Sequence, residues 1–299
     1  MEQSSGKVLY ESNSDTKLPM ASTTKIMTAI IIIEDCNLDE VITVPDSAVG
    51  YEGSSIYLKK DEKIDIRDLL YGLMLRSGND SAVSLAIYHS GSIQKFADVM
   101  NERAKKIGAQ NTNFTNPSGL PDDNHYTTAK DLCKIACYAM NNKTFREVVS
   151  TKNYRGKFRS FTNKNKMLTG YEGANGIKTG YTLKAGRCLV SSAKRNGMEC
   201  VCVVLNCPDM YEQSSKILDK CFNTYKLIEI SADKLFLCGK KLCHLNKNVR
   251  TVIKADENIT YKIVSKEICE DKLKRGDQIG ELEIYGKNNL IFREKLYSI

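Results

Sequence analysis

The chain has 299 residues, 41% of them apolar and 27% charged, with a formal net charge of +8. That length allows one large domain and a small one, and that composition excludes a natively disordered chain. No apolar run approaches the ~18 residues a membrane-crossing helix needs. The cations are scattered and no recognition motif accompanies them, so no nucleic-acid partner is expected; the charge fits a solvated basic surface or attraction to an anionic polymer such as a cell wall.

Residues 7–11 read as a strand after a Ser-Gly turn, and residues 13–19 as a polar loop. From Ser22 to about Glu34 the pattern is helical, with Ile26, Ala29, Ile30 and Ile33 on one face. Residues 41–44 and 54–58 read as short strands, and residues 66–75 as a helix running into Ser77-Gly78-Asn79. Residues 82–88 and 93–107 give two further helices, 111–124 a loop rich in Asn, Pro, Gly and Asp, and 128–140 another helix. A strand begins at Gly176, and strands 187–194 and 198–206 flank Asn196-Gly197, a hairpin signal. A helix over 213–225 follows. Beyond Ile230 short strands alternate with polar turns, among them a hairpin loop at 286–289, which predicts a small all-β domain.

The eleven cysteines form no paired CxxC knuckles, and His244 beside Cys243 is the one histidine near any of them. Neither a zinc site nor a disulfide framework is expected, and most of these thiols read as small buried apolar groups. His89 and His125 have no evident carboxylate partner and read as surface or loop residues. Residues 2–7 show neither a basic segment nor an apolar core, so no signal peptide is expected.

Three short motifs carry chemistry. In Ser22-Thr23-Thr24-Lys25 the first and last residues share a helix face, so the amine can reach the hydroxyl. A serine hydroxyl is a weak nucleophile until a neighbouring base takes its proton, and lysine serves only if burial and cationic neighbours depress its pKa. In Ser77-Gly78-Asn79 the hydroxyl can relay a proton and the amide can hold the lysine or a substrate amide. In Lys178-Thr179-Gly180 the cation and hydroxyl can grip a carboxylate, while the glycine admits a substrate close to the backbone. Each motif alone is ordinary: a serine helix cap, a polar turn, a strand end. Together, in this order and about 55 and 100 residues apart, they match the trio shared by class A β-lactamases and penicillin-binding proteins.

The surrounding sequence resembles the low-molecular-mass penicillin-binding proteins that act as D-alanyl-D-alanine carboxypeptidases. The resemblance rests on residues 6–10, 19–28, 73–80, 116–120, 175–182 and 185–186, covers about residues 5–225, and continues more loosely through residues 274–280. It implies an α/β catalytic domain over 1–230, an antiparallel sheet packed between helices with a helical lobe, and a small β domain over 231–299. It implies Ser22 as the acylated nucleophile, Lys25 as its base, Ser77 and Asn79 in the proton relay and substrate contact, and Lys178, Thr179, Gly180 and Tyr181 at the substrate, with the Ser22 and Tyr181 backbone N–H groups as oxyanion donors. The implied substrate is the D-Ala-D-Ala end of a peptidoglycan stem peptide, with β-lactams as covalent mimics. No metal or organic cofactor is implied, no membrane anchor is visible, and action outside the cytoplasm follows from the substrate alone. The chain departs from the family pattern at Ser118, where many relatives carry histidine, after the last core strand, where relatives often place a carboxylate-binding arginine and this chain has Gln213 or a shifted position, and in an N-terminal strand that reads as shortened. Two other readings are a class A β-lactamase, which needs a deacylating glutamate such as Glu147 or Glu172, and an inactive wall-binding scaffold.

Overall fold

The computed structural model describes residues 1–239, 241–265, 273–287 and 289–299. The chain is an α/β protein that divides into two compact units, the larger formed by Met1 and residues 8–195 and 199–219, the smaller by residues 2–7, 196–198 and 220–299.

In the larger unit a 3₁₀ turn, Ala21–Thr24, runs directly into α1 (Lys25–Asp35). Strands β1 (Val41–Thr43) and β2 (Lys63–Asp65) pair antiparallel and lead to α2 (Ile66–Tyr71), a π turn (Gly72–Arg76) and α3 (Asn79–Ser90). Helices α4 (Ile93–Ile107), α5 (Ala129–Ala139) and α6 (Lys143–Ser150) follow, then the hairpin of β3 (Asn153–Arg155) and β4 (Ser160–Thr162), the single turn α7 (Met167–Gly170), and strands β5 (Ala174–Thr182), β6 (Gly186–Arg195) and β7 (Met198–Val204) in the order β5-β6-β7. Helix α8 (Met210–Thr224) comes next.

Helix α1 is the axis of the core. The expected apolar face is a full circumference: every residue from Lys25 to Ile32 is buried, as befits a helix enclosed by others. Helix α4 lies where the sequence placed it because both ends are specified: the Ser92 side chain accepts from Lys95 N, and Gly108 leaves the helix at φ 88°. Thr128 caps α5 and Asn142 caps α6 in the same way.

Three expected elements differ. Residues 7–11 form no regular strand, and it is Met1 that pairs with the sheet, its ammonium donating to Val201 O and its carbonyl accepting from Val201 N. Residues 54–58 form no strand because the Asp80 carboxylate, rather than a neighbouring strand, takes the backbone N–H groups of Ile56 and Leu58. The helix over 66–75 changes to π geometry at Gly72 and ends at Ser77, which is left-handed at φ 65°.

In the smaller unit β8 (Tyr225–Ile230) pairs with β11 (Val249–Lys254), so these strands share one unit and the division of the chain falls at Lys220. The five-stranded sheet runs β12-β13-β14-β10-β9, from β9 (Phe236–Cys238), β10 (Lys241–His244), β12 (Ile259–Ser265), β13 (Gln278–Gly286) and β14 (Asn289–Ser298). Its core is Phe236, Cys238, Cys243, Leu282, Ile284 and Leu296. Asn196 and Gly197 both take positive φ, the turn that Asn-Gly specifies. In the loop over 286–289, Asn288 lies outside the described residues. Among the described residues every cysteine is a free thiol, most are buried, and no cluster able to hold a metal occurs.

Candidate active site

The 3₁₀ turn before α1 brings Ser22 to the surface of an otherwise buried segment: Ala21, Thr23 and Thr24 are buried, Ser22 half-buried. One helical step further, Lys25 is 0% exposed, yet its amine is surrounded by polar partners. Nζ lies 2.9 Å from Ser22 Oγ, 2.7 Å from Asn79 Oδ1 and 2.5 Å from the Ser118 carbonyl oxygen. Burial, and after it the positive charge of Lys178, holds the Lys25 pKa well below the usual lysine range, with Asp80 opposing.

Asn79 opens α3 and is wired on both sides. Its Oδ1 accepts from Lys25, its Nδ2 donates to Glu52 O at 2.6 Å, and its backbone N donates to Ser54 O at 2.6 Å. The loop that supplies those carbonyls is held by Asp80, which accepts from Ser55 Oγ, Ile56 N, Leu58 N and Ser81 N. Ser77 is buried beside this wall, but its hydroxyl makes no hydrogen bond to Ser22 or Lys25. The structure therefore joins Ser22, Lys25 and Asn79 directly and leaves Ser77 adjacent.

The loop 116–120 closes the other side. Asn116 Oδ1 accepts from Ser118 N, Gly119 N and Leu120 N, a turn that aims the Ser118 carbonyl at Lys25. Gly119 sits at φ 86°, and a Cβ there would lie 1.9 Å from Ala21 O, so no other residue fits against the Ser22 turn.

Strand β5 passes the same turn. A Cβ on Gly180 would come within 3.0 Å of Ser22 N, so glycine is what lets the strand approach the nucleophile's backbone. Lys178, two residues earlier, is 2% exposed and donates to Thr179 O at 2.9 Å. Burial first, and Lys164 second, lower its pKa to about 7. Thr179 is half-buried, and Tyr181 projects outward, 61% exposed.

Gln213 lies on the exposed face of α8, and Glu147 and Glu172 are both exposed, so neither glutamate occupies a buried position beside Ser22. Sequence reasoning missed two groups. Asp80 was visible as the residue after Asn79, but not as the organiser of loop 54–58. His125 is not a surface residue: it is 3% exposed, and its Nε2 lies 2.8 Å from Thr24 Oγ1. His89 likewise has the carboxylate partner that the sequence did not reveal, Asp35 at 3.2 Å.

A family model described as D-alanyl-D-alanine carboxypeptidase matches residues 1–209. The chain is 34% identical over 241 residues to the D-alanyl-D-alanine carboxypeptidase DacF of Bacillus subtilis, a match that takes in 76% of this chain and 61% of that protein. It is 37% identical over 244 residues to a Streptomyces D-alanyl-D-alanine carboxypeptidase, covering 73% of this chain and 84% of the relative. Among solved structures, penicillin binding protein 5 from Haemophilus influenzae aligns over 100% of this chain and 94% of its own, with a TM-score of 0.85 and 25% identity. A variant of a Streptomyces DD-transpeptidase aligns over 74% of this chain and 95% of its own, with a TM-score of 0.72 and 35% identity. The chain belongs to the D-alanyl-D-alanine carboxypeptidase family.

Proposed function

We propose that this protein is a serine D,D-carboxypeptidase that removes the terminal D-alanine from peptidoglycan stem peptides through an acyl-enzyme on Ser22. The observation that carries the reading is the set of three acceptors around the Lys25 amine. Two of them, Asn79 Oδ1 and Ser118 O, are carbonyl oxygens and can only accept. The third is a hydroxyl and can also donate. A neutral amine has two N–H bonds and one lone pair, so it satisfies both carbonyls and turns its lone pair to the Ser22 O–H. Burial and Lys178 favour that neutral form.

Ser22 Oγ then attacks the carbonyl carbon of the penultimate D-alanine while Lys25 Nζ takes the hydroxyl proton. The carbonyl oxygen becomes an oxyanion that accepts hydrogen bonds from the backbone N–H groups of Ser22 and Tyr181. The close approach of Gly180 to Ser22 N supports that pairing. The proton on Lys25 passes to the nitrogen of the departing D-alanine, with the buried Ser77 hydroxyl as a relay. The C–N bond breaks and the acyl-enzyme remains. Lys178 and Thr179 hold the carboxylate of the leaving residue. Water, deprotonated by Lys25, then attacks the ester, and the shortened peptide leaves. A β-lactam acylates the same oxygen by ring opening. The substrate places the reaction outside the cytoplasm, and no helix among the described residues is long and apolar enough to cross a membrane.

The test is fluorescent-penicillin labelling and D-alanine release from a D-Ala-D-Ala peptide, wild type against Ser22→Ala. A covalent adduct on Ser22 together with Ser22-dependent D-alanine release is expected. A folded protein that does neither is the inactive scaffold. Rapid turnover of a chromogenic cephalosporin would favour a β-lactamase, a reading the exposed Glu147 and Glu172 do not support.

A further inference from the structure

His125 takes no part in the chemistry above, yet it is buried within reach of the nucleophile's turn. Its Nδ1 lies 3.0 Å from the backbone N of Thr115, which can only donate. Nδ1 therefore carries no proton, and the neutral ring holds its hydrogen on Nε2. Nε2–H donates to Thr24 Oγ1 at 2.8 Å, and the Thr24 hydroxyl, its hydrogen still free, donates to the Ala21 carbonyl at 2.8 Å. The chain of bonds has one direction, from Thr115 through His125 and Thr24 to Ala21.

Ala21 is where such a brace is needed. It is a non-glycine residue at φ 49°, a left-handed conformation that alanine rarely adopts. Its carbonyl belongs to the same planar trans peptide as the Ser22 N–H, so the two point in opposite directions. Fixing one fixes the other.

We propose that His125 is a positioning residue: acting through Thr24 and the Ala21 carbonyl, its Nε2–H tautomer sets the plane of the Ala21–Ser22 peptide and so aims the Ser22 N–H at the developing oxyanion. The inference rests on the serine-peptidase reading of Ser22. Burial, with a smaller contribution from Lys25 and against that of Asp122, lowers the His125 pKa to about 4, so the ring stays neutral and the tautomer persists through the neutral pH range. The edge of the ring also packs against Phe114, with centroids 5.8 Å apart, which keeps its orientation.

The experiment compares His125→Leu and His125→Gln, with Thr24→Val and Thr24→Ser as a second pair. Glutamine and serine keep the donor at each step, whereas leucine and valine remove it at similar volume. Readouts are the rate of Ser22 acylation by a β-lactam, kcat and KM on a D-Ala-D-Ala peptide, and thermal unfolding, each per folded molecule. Loss of an aimed oxyanion donor predicts kcat and acylation down about 100-fold in His125→Leu and Thr24→Val, with KM little changed. The Gln and Ser variants should recover to within about tenfold of wild type. The inference is overturned if Thr24→Val, folded, acylates at the wild-type rate, or if the Gln and Ser variants are as slow as Leu and Val. Wild-type protein that forms no Ser22 adduct would instead remove the peptidase reading itself.

Discussion

The carbonyl of Ser118 accepts a 2.5 Å hydrogen bond from Lys25 Nζ, while the Ser118 hydroxyl turns away to Asn116 Oδ1. The contact with the amine therefore does not depend on the side chain at this position, because the main chain makes it. Ser118→Ala should keep D-alanine release within about threefold of wild type, since Asn116 still accepts from three backbone N–H groups. Gly119→Ala should behave oppositely. It forces a side chain into a positive φ, at a cost of about 1–3 kcal/mol, and into the Ala21 carbonyl as well. Loss of penicillin labelling with a lowered melting temperature is expected, and a fully active Gly119→Ala protein would show that loop 116–120 can move away from the nucleophile.

Lys25 and Ser77 should separate by magnitude. Lys25→Ala removes the amine that hydrogen-bonds Ser22 Oγ, and with Lys25 as the proposed base acylation should fall by several orders of magnitude while the fold persists. Ser77→Ala removes a hydroxyl that hydrogen-bonds neither Ser22 nor Lys25, and its effect should be smaller, about 10²-fold, the low end for a proton relay. Stopped-flow acylation measures both. Near-normal turnover of Ser77→Ala takes it out of the relay, and unchanged labelling of Lys25→Ala removes the base assignment.

What the sequence made legible, and what it hid, follows from the range of the interactions. The pairing of Ser22 with Lys25 is local, two positions on one helical turn, and spacing alone predicts it. Helix α4 was readable because its cap residue and its terminal glycine are written at its ends. The contacts that Asn79 and the Ser118 carbonyl make with Lys25 are not local: the Ser77-Gly78-Asn79 motif allows the first, and nothing in the sequence signals the second. Residues 54–58 carry a strand-like pattern, but a carboxylate 22 to 25 residues away takes the hydrogen bonds that a ladder would have used. His125 gave no signal because its partners, Thr115 N and Thr24 Oγ1, come from a backbone group and from a segment 101 residues earlier.

Asp80 offers a test of that hidden wiring. As a carboxylate it only accepts, and its donors are the Ser55 hydroxyl and the backbone N–H groups of Ile56, Leu58 and Ser81. Asp80→Asn replaces one accepting oxygen with an NH₂ group that faces other donors. We expect a loss of about 1–3 kcal/mol in urea denaturation, together with slower acylation, because the same loop carries the Glu52 and Ser54 carbonyls that hold Asn79. Equal stability and equal rate in the Asn variant would mean that loop 54–58 does not depend on Asp80.

The last prediction concerns pH. Burial, and after it Lys164, lower the Lys178 pKa to about 7 in the folded protein, from the ordinary lysine value of 10.5. In the window between those two values the unfolded chain binds the proton and the folded one does not, so this group makes stability rise with pH. Its contribution is fully present above about pH 10.5 and lost as pH falls through about 7, with a slope of up to ~1.4 kcal/mol per pH unit in between. Substrate binding runs the other way, since a carboxylate beside Lys178 favours the ammonium and draws a proton in. The profile of kcat/KM reports the free enzyme, so it should fall on the alkaline side as Lys178 loses its charge, from about pH 7 upward. In Lys178→Met the alkaline limb should disappear, KM for the peptide should rise, and stability should become flatter across the window. An alkaline limb that persists unchanged in Lys178→Met would assign it to another group and separate Lys178 from carboxylate binding.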